Sequence, residues 1–470
     1  MTVKYHQIVL KDIFSDCQDM FLNDTPSFFQ LLDEHFDISE FVPSVFYNAF
    51  YQRLGRKRDY PLTGFLSALI LQKIFSIPTD SLLLLLLSLC RELRDFCGFH
   101  KVPDAPLFTR FKLGFADHIE LMFQRMVEFT EPICQAIDSS LASMLTFDAS
   151  GIELYVTKNN PKTLNSLIRR LKAYYKDNPD VDPYKMAYGL MPSQAASCPD
   201  AKQQYINGHF AILTNGLGIV RHIAFLDDDF KAAHPEMSVE KKSDSPDEDK
   251  SIGDSSSLKP VLSDFFSLHP QFHPDIFLDD SAFDSIETYG FLRDEFHFSK
   301  VLIPYNPRNE SALEKVGYNA YGYPTCPKDS SLDMKYAGHC HEKGRSDRNK
   351  WVCPKAHMVK GRWVCDCKEP CSAAKKGRTA YTYENMDFRM FPGIQRDSDE
   401  WASLYKIRTI VERAIDHLKI NMCAAGRKSR NHTTTKADVF LAGIACQLTV
   451  IVAYRINCPQ CIRSLKPLIA

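Results

Sequence analysis

Runs with the periodicity of strands begin only near residue 143, and they limit how this chain of 470 residues can fold. SMLTFDASGIELYV (143–156) predicts two short strands around a Ser-Gly turn, and residues 209–227 predict a hairpin about Asn215-Gly216. DIFLDD (275–280) and SKVLIPY (299–305) predict two further strands, with a helix between them at 281–296. The order βββ, β, α, β predicts an α/β domain with a mixed sheet.

Helical patterns lie on both sides of these strands. In residues 1–135, apolar residues recur at helical spacing over 65–75 and 82–99, and a further helix is predicted from 103, with Asp104 as its cap and Pro106 in its first turn. Nothing in this region indicates a strand. Helix is predicted again from 399 to 456.

Two segments interrupt the pattern. Residues 235–260 are polar and charged, which predicts a flexible surface loop, and residues 306–396 are rich in Gly, Pro and Cys, which predicts an inserted subdomain before the last helices. The predicted division is a helical DNA-binding region (1–135), a first part of the core (140–305), the Cys-rich insertion (306–396), a second part of the core (397–456) and a tail (457–470).

Charge and hydropathy narrow the class of protein. The net charge is −1, but residues 301–470 carry 28 Lys+Arg against 16 Asp+Glu, which suits contact with a polyanion and is also common in proteins that bind none. The first residues lack the pattern of a secretory signal, so we expect a cytoplasmic protein. The apolar runs 81–90 and 439–454 are shorter than a membrane span needs, so we expect core helices and no membrane.

Carboxylates follow two of the predicted strands. Asp148 closes the first, and Asp279-Asp280 close a later one. Functional groups gather at the carboxyl ends of strands in open α/β sheets. Carboxylates at such short distances repel one another unless a cation lies between them. Glu412 on an adjacent helix would complete a set of hard oxygen ligands for one or two Mg²⁺ or Mn²⁺ ions. Taken alone, an Asp at a strand end is more often a turn former or a helix cap.

A helical stripe carries the third carboxylate. At 100° per residue, Tyr405, Arg408, Glu412 and Lys419 fall within about 60° of arc on one face. Such a stripe is either a surface ladder of ion pairs or a functional face that offers a carboxylate to a metal and cations to phosphate.

Together these residues resemble the DDE transposases of bacterial insertion sequences, which have a ribonuclease-H-like core. The signature Y-x2-R-x3-E-x6-K of the insertion sequence 4 group is met in full over 405–419, and TFDAS (146–150) is similar to the first aspartate motif. FLDDSAFDS (277–285) looks like the second, a D-x-G-Y-D pattern that favours Asp280 over Asp279. It departs from the pattern at Ala282 and Phe283, where the group has Gly and Tyr.

The resemblance implies an activity and roles for residues. It implies cleavage at the ends of a mobile element and transfer of the freed 3′-hydroxyl into target DNA, with a homodimer on double-stranded DNA. Asp148, Asp280 and Glu412 would be the catalytic metal ligands, while Tyr405, Arg408 and Lys419 would hold the end DNA. Two rivals are a nuclease on the same core that cuts without joining, and a DNA-binding descendant without catalysis.

Cysteines and basic loops complete the candidate sites. Cys353, Cys365, Cys367 and Cys371 in the insertion form either a structural zinc site or a set of reduced thiols. Cys458 and Cys461 form a lone C-x-x-C pair near the end of the sequence, which favours exposed tail thiols over a redox site. Phosphate contacts are expected from the basic loops, which contain Lys375, Lys376, Arg378, Arg427, Lys428 and Arg430. Trp351 and Trp363 either pack the insertion, which we favour, or wedge into distorted DNA.

Overall fold

The computed structural model describes residues 27–52, 57–152, 161–176, 181–189, 209–235, 237, 254–306, 317–374, 376–383, 389, 392–426 and 431–469. They form a mixed α/β structure, as the sequence predicts. Most of the loop predicted at 235–260 lies outside the described residues, and its end is helical from Asp254 onwards.

Residues 27–142 contain helices and no strand within their described part, as predicted. The helices are α1 (Ser27–His35), α2 (Ser44–Phe50), α3 (Leu62–Ile74), α4 (Asp80–Leu89), α5 (Arg91–Phe96), α6 (Ala105–Ile137) and α7 (Ser139–Ala142). The helix predicted over 82–99 is divided between α4 and α5, because Cys90 has an extended backbone (φ −100°, ψ 107°). Helix α6 begins after Asp104, as predicted, and bends at Phe115 (φ −134°, ψ 20°).

Five strands form one mixed sheet. They are β1 (Met144–Ser150), β2 (Phe210–Thr214), β3 (Val220–Phe225), β4 (Ile276–Leu278) and β5 (Lys300–Leu302), in the spatial order β3-β2-β1-β4-β5. The pairs β1–β2 and β2–β3 are antiparallel, whereas β1–β4 and β4–β5 are parallel. The strand predicted after Gly151 falls on residues 153–156, which lie outside the described range.

The β2–β3 turn is longer than its sequence suggests. It spans residues 215–219, closed by a hydrogen bond from Asn215 N to Ile219 O (3.1 Å). The Asn215 side chain accepts from Leu217 N and Ile219 N, and the left-handed residue is Gly218 (φ 78°), not Gly216. An Asn side chain that mimics a backbone acceptor stabilises a wider loop than the two-residue turn predicted here.

The remaining helices follow β1 in the chain. They are α8 (Pro161–Tyr174), α9 (Pro183–Gly189), α10 (Asp228–Ala233), α11 (Asp254–Leu268), α12 (Ile286–Asp294), α13 (Asp399–Tyr405), α14 (Ile410–Asp416) and α15 (His432–Arg455). Of these, α8 and α9 pack against each other. One hydrophobic cluster runs through the N-terminal helices, the sheet and α15. By length and composition α15 could cross a membrane, but 94% of its apolar window is buried inside the protein, where it packs along α6.

A buried network of charges joins the N-terminal helices to α15. Lys73 on α3 donates to Asp438 on α15 at 3.0 Å, and both side chains are inaccessible to solvent. Lys112 on α6 lies between Asp438 (3.3 Å) and Asp80 of α4 (2.7 Å). Buried charges are tolerated only when paired, so this network fixes how the four helices pack together.

The insertion is built of short strands, which its irregular sequence did not indicate. They are β6 (Thr325–Cys326), β7 (Asp329–Asp333), β8 (Lys335–Cys340), β9 (Arg348–Val352), β10 (Ala356–Val359), β11 (Arg362–Cys365) and β12 (Thr379–Tyr383). They form the small sheets β6–β7, β12-β9-β8 and β10–β11. The chain then returns to the main sheet, where Pro392 O accepts from Val301 N (2.8 Å) along the outer edge of β5.

Candidate catalytic site

The register of the parallel strands places two of the predicted carboxylates side by side. Thr146 of β1 is paired with Leu278 of β4, so Asp148 and Asp280 each lie two residues beyond a matched pair. The backbone stays extended as far as Asp280 (φ −84°, ψ 173°). Side chains alternate along a strand, so both aspartates belong to the face that carries Met144, Ile276 and Leu278.

The helices after the insertion cover that same face. Met144, Ile276, Leu278 and Leu302 form a cluster of buried residues with Trp401, Leu404, Tyr405 and Ile407 packed against it. The next helix, α14, contacts β1 and β2 and buries Val411, Ala414 and Ile415. The segment that carries Tyr405, Arg408 and Glu412 therefore lies over the carboxyl ends of β1 and β4.

The segment is not the single regular helix that the stripe assumed. Between α13 and α14, residues Lys406–Thr409 form a 3₁₀ turn, and His417–Asn421 form a π-helical turn after α14. The backbone remains right-handed throughout, so the tighter and wider turns only rotate the positions around the axis. The residues of the stripe therefore still share one side of the helical segment, although the segment is irregular.

Arg408 and Glu412 form an ion pair, as expected if the stripe were a surface ladder of ion pairs. Arg408 Nη2 donates to Glu412 Oε1 at 2.7 Å, and the Glu412 side chain is about half exposed. Partial burial opposes the charged form of Arg408, but Tyr405, Glu412 and Asp280 raise its pKa above the usual value. The ion-pair partner of the guanidinium is Glu412, and the charge of Asp280 after β4 also favours its protonated form.

The two neighbouring aspartates of β4 have different environments. Asp279 alternates onto the opposite face and is 2% exposed; its Oδ1 accepts from Asp280 N (2.8 Å), and its Oδ2 has no hydrogen-bond partner within the described residues. Burial raises the pKa of Asp279 well above its usual value; Asp280 and Asp148 raise it further, while Arg408 lowers it. Asp280 is more accessible, and its Oδ1 accepts from Ala282 N (2.7 Å).

Tyr405 and Lys419 complete the charged surface. Burial raises the pKa of Tyr405 to about 12, with Asp280, Asp279 and Glu412 adding to the rise against Arg408, so the phenol is a protonated donor at neutral pH. Lys419 Nζ donates to Ser150 Oγ (3.1 Å) and Gly151 O (2.6 Å) at the end of β1. The π-helical turn thus anchors the helical segment to the strand of Asp148.

The structure does not arrange the predicted metal ligands as a complete metal-binding site. Among the described residues, no group of three or more His, Cys, Asp or Glu is arranged to hold a metal ion. Asp148 and Asp280 both raise the pKa of Asp279, and Asp280 and Glu412 both raise the pKa of Arg408. As carboxylates, Asp148, Asp280 and Glu412 are the donors that Mg²⁺ and Mn²⁺ prefer. The chemistry and the side of the sheet fit such ions.

The cysteines of the insertion lie near one another, but within the described residues they do not form a metal-binding group. Hydrogen bonds from the backbone and side chain of Cys367 and from Cys353 lower the pKa of Cys365, whereas burial raises that of Cys353. The zinc site remains a prediction, and all thirteen described cysteines are free thiols. In the tail, Cys461 is buried, with its Sγ 2.9 Å from that of Cys458, so the expectation of an exposed thiol was wrong for Cys461; Cys458 is half-buried.

Other predicted contacts are placed only in part. Arg427, Lys428 and Arg430 lie outside the described residues, as does Lys375. Trp351 is 5% exposed and donates from Nε1 to Thr382 Oγ1 (3.0 Å), which is the packing role that we favoured over a DNA wedge.

One aspartate that sequence reasoning passed over has a defined role. Asp284, the last residue of the D-x-G-Y-D-like stretch, is fully buried and accepts from Asn306 N (2.7 Å). It also pairs with the buried Arg389 (3.4 Å), whose position near the end of the insertion gave no sign of this contact. The motif itself was the available signal, since it contains two aspartates and only one was assigned.

One part of the chain matches a known protein family. Residues 16–113 match a family model described as "Transposase domain (DUF772)", which covers less than half of the chain and supports a transposase. A structure of a piggyBac transposase synaptic complex with hairpin DNA is similar over 94% of this chain and 77% of that one, with a TM-score of 0.36 and 12% identity, too remote to carry any argument about the site. No curated protein matches the chain.

Proposed function

We propose that the chain is the DNA transposase of an insertion sequence, which binds the ends of the element and catalyses metal-dependent strand cleavage and transfer of the 3′-hydroxyl into target DNA. One observation carries the proposal. Asp148 and Asp280 occupy matched positions on one face of a parallel pair, beneath the helical segment that presents Glu412 and Arg408. The transposase-domain match at 16–113 supports the same class from a separate part of the chain.

The proposal includes a ribonuclease-H-like core. The mixed sheet, the helices that return to it after the insertion and the carboxylates at its strand ends support that core, which the resemblance implies. Because two element ends must be joined to one target, the proposal also includes a homodimer on double-stranded DNA, acting in the cytoplasm.

Asp148, Asp280 and Glu412 would hold one or two Mg²⁺ or Mn²⁺ ions. The chemistry that such ions supply is Lewis acidity, which activates a water or a 3′-hydroxyl and stabilises the leaving oxygen of a phosphodiester. Arg408 binds a phosphate oxygen by charge-assisted hydrogen bonds, and the phenolic hydroxyl of Tyr405 donates a hydrogen bond to another phosphate oxygen. Lys419 holds the end of β1 and adds positive charge beside it.

Cleavage of end DNA tests the metal ligands. The substrate is a labelled duplex taken from the DNA that flanks the coding region, incubated with Mg²⁺ and a supercoiled plasmid, and the products are separated on denaturing gels. Asp148→Asn, Asp280→Asn and Glu412→Gln should each lower the cleavage rate by about 10³-fold, because each removes about 4 kcal/mol of transition-state stabilisation, while binding of the duplex changes little.

Asp279→Asn is the matched control for Asp280→Asn. It makes the same change one residue away on the other face of the strand, and it should retain cleavage. Loss of cleavage in Asp279→Asn with activity in Asp280→Asn would transfer the ligand role, and full activity in Glu412→Gln would refute the proposed centre. Cleaved ends that never join the plasmid would leave a nuclease instead of a transposase.

A further inference from the structure

A second charged surface lies in the N-terminal helices, in sequence segments separate from those of the carboxylates. Helix α2, the segment before α3 and the first half of α6 enclose an open groove of about 990 Å³. Its lining includes Tyr51, Lys57, Arg58, Tyr60, Arg110 and Gly114. We call it the α2–α6 groove. Nothing in the proposed catalytic centre uses it.

The charge of the groove is strongly one-sided. Lys57, Arg58 and Arg110 are exposed, and within the described residues none of them forms an ion pair. Asp59 is the acidic residue among those that line the groove. In the sequence, Lys57 and Arg58 end the basic run RLGRKR (53–58), which contains no acid and of which residues 53–56 lie outside the described range. Unpaired like charges around a concave surface raise the local concentration of anions.

Arg58 is held in place more firmly than an ordinary surface arginine. Its Nε donates to Phe50 O at 2.7 Å, and its guanidinium lies over the ring of Phe50, 4.2 Å from the centroid, and 5.4 Å from that of Phe115. Within the described part of the chain, its Nη groups have no hydrogen-bond acceptor. The entropy cost of ordering this side chain is met on folding, so the fork is pre-organised for a phosphate.

The groove has room for a polymer backbone. A Cβ built on Gly114 meets no atom within 4 Å, so this part of α6 borders open space at the point where the helix bends. Tyr51 on the opposite wall is 48% exposed and its hydroxyl accepts from Leu62 N (2.9 Å), which leaves a fixed aromatic surface beside the cations. Arg, Lys and Tyr side chains are among those that contact the phosphates of duplex DNA, and all three residue types line this groove.

We propose that the α2–α6 groove binds the phosphate backbone of duplex DNA, with Arg58 and Arg110 as phosphate contacts. This inference rests on the proposed function and adds to it a binding surface in a different part of the chain, one that holds DNA without cutting it. The groove lies almost wholly inside the range that matches the transposase domain.

The test measures binding and its dependence on salt. The probes are a fluorescent duplex from the flanking DNA and a random duplex of the same length, titrated with the full-length protein at several NaCl concentrations. Arg58→Gln with Arg110→Gln should weaken binding of both by about tenfold and lower the slope of log K against log salt by about 2, because two phosphate contacts are lost. Arg91→Gln removes an exposed cation of the same region outside the groove and should bind normally.

Gly114 offers a pair of variants that differ only in charge. Gly114→Gln and Gly114→Glu both enter open space on a helix, so both should fold, and only the glutamate should weaken binding and cleavage of flanking DNA together. Equal binding by the two variants, or arginine variants that behave like Arg91→Gln, would overturn the groove assignment while leaving the catalytic proposal intact. Failure of the unmodified protein to bind any duplex would overturn both.

Discussion

At the scale of single residues, His222 in β3 has an environment that suits only its neutral form. The residue is 3% exposed, and neither ring nitrogen has a hydrogen-bond partner within the described residues. Burial and, to a lesser extent, the neighbouring His269 lower its pKa to about 3. An unfolded chain protonates this imidazole near its ordinary pKa of 6.5, so the folded state loses stability as the pH falls from about 6.5 towards 3.

His222→Leu should therefore reduce the sensitivity of the fold to acid. Between pH 7 and pH 5, His222 should contribute a loss of up to about 2 kcal/mol in the free energy of unfolding, which the leucine variant should not show. Urea unfolding at the two pH values, followed by tryptophan fluorescence, measures the difference. The pKa of His269 is also lowered, and His269 remains in the variant, so some acid sensitivity should persist. Equal pH dependence in both proteins would contradict the argument.

Single residues also show how far the sequence could lead. The motif favours Asp280 over Asp279, and the alternation of side chains beyond Leu278 puts Asp280 on the face of Asp148. The burial of Asp279 and the pairing of Asp284 with Arg389 could not be predicted, because each depends on residues brought together across the fold. Spacing along the chain predicts which residues share a face, but it does not predict their partners.

At the scale of elements, the segment that runs beside β5 protects an open edge of the sheet. Val301 N donates to Pro392 O, and the next residue, Gly393, has a left-handed backbone (φ 78°). A Cβ there would lie 1.9 Å from Ser299 O, so only glycine allows this approach. Unpaired edges invite pairing with other chains, and this covering removes one such edge.

Gly393→Ala should destabilise the protein much more than Gly361→Ala. Both glycines have φ of 78°, but nothing lies within 4 Å of a Cβ on Gly361. We expect a loss of about 1 kcal/mol for Gly361→Ala, from backbone strain alone, and of at least about 3 kcal/mol for Gly393→Ala, from strain and overlap together. Thermal unfolding of the two variants measures the difference, and similar melting temperatures would show that the segment is not packed as described.

Elements were predictable in kind and less so in detail. The helix in 103–123 and the mixed sheet followed from periodicity and turn signals, because those depend on local preference. The 3₁₀ and π turns around α14 did not, since the spacing of Tyr405, Arg408 and Glu412 is compatible with a regular helix. Long-range bonds such as those from Lys419 to the end of β1 accompany these turns, and the local sequence does not report them.

At the scale of the whole molecule, the charge network around Asp438 ties the N-terminal helices to α15. Asp438→Asn removes the carboxylate that the buried Lys73 and Lys112 share, and it should lower the free energy of unfolding by about 3–5 kcal/mol. Asp95→Asn breaks the exposed pair with Arg91 and should cost under about 1 kcal/mol. Chemical unfolding curves separate the two; a mild effect of Asp438→Asn would show that the network does not hold the helices together.

The order of the chain also has a consequence for incomplete copies of the protein. The α2–α6 groove is finished by residue 115, two of the proposed ligands by residue 280, and the third only at Glu412, on the far side of the insertion. Under the proposed assignments, a product ended early by a frameshift in the insertion would contain the groove and lack Glu412, and it would also lack α15, whose Asp438 pairs with Lys73 and Lys112. Such fragments, where they fold, would occupy element ends and act as inhibitors of the intact protein.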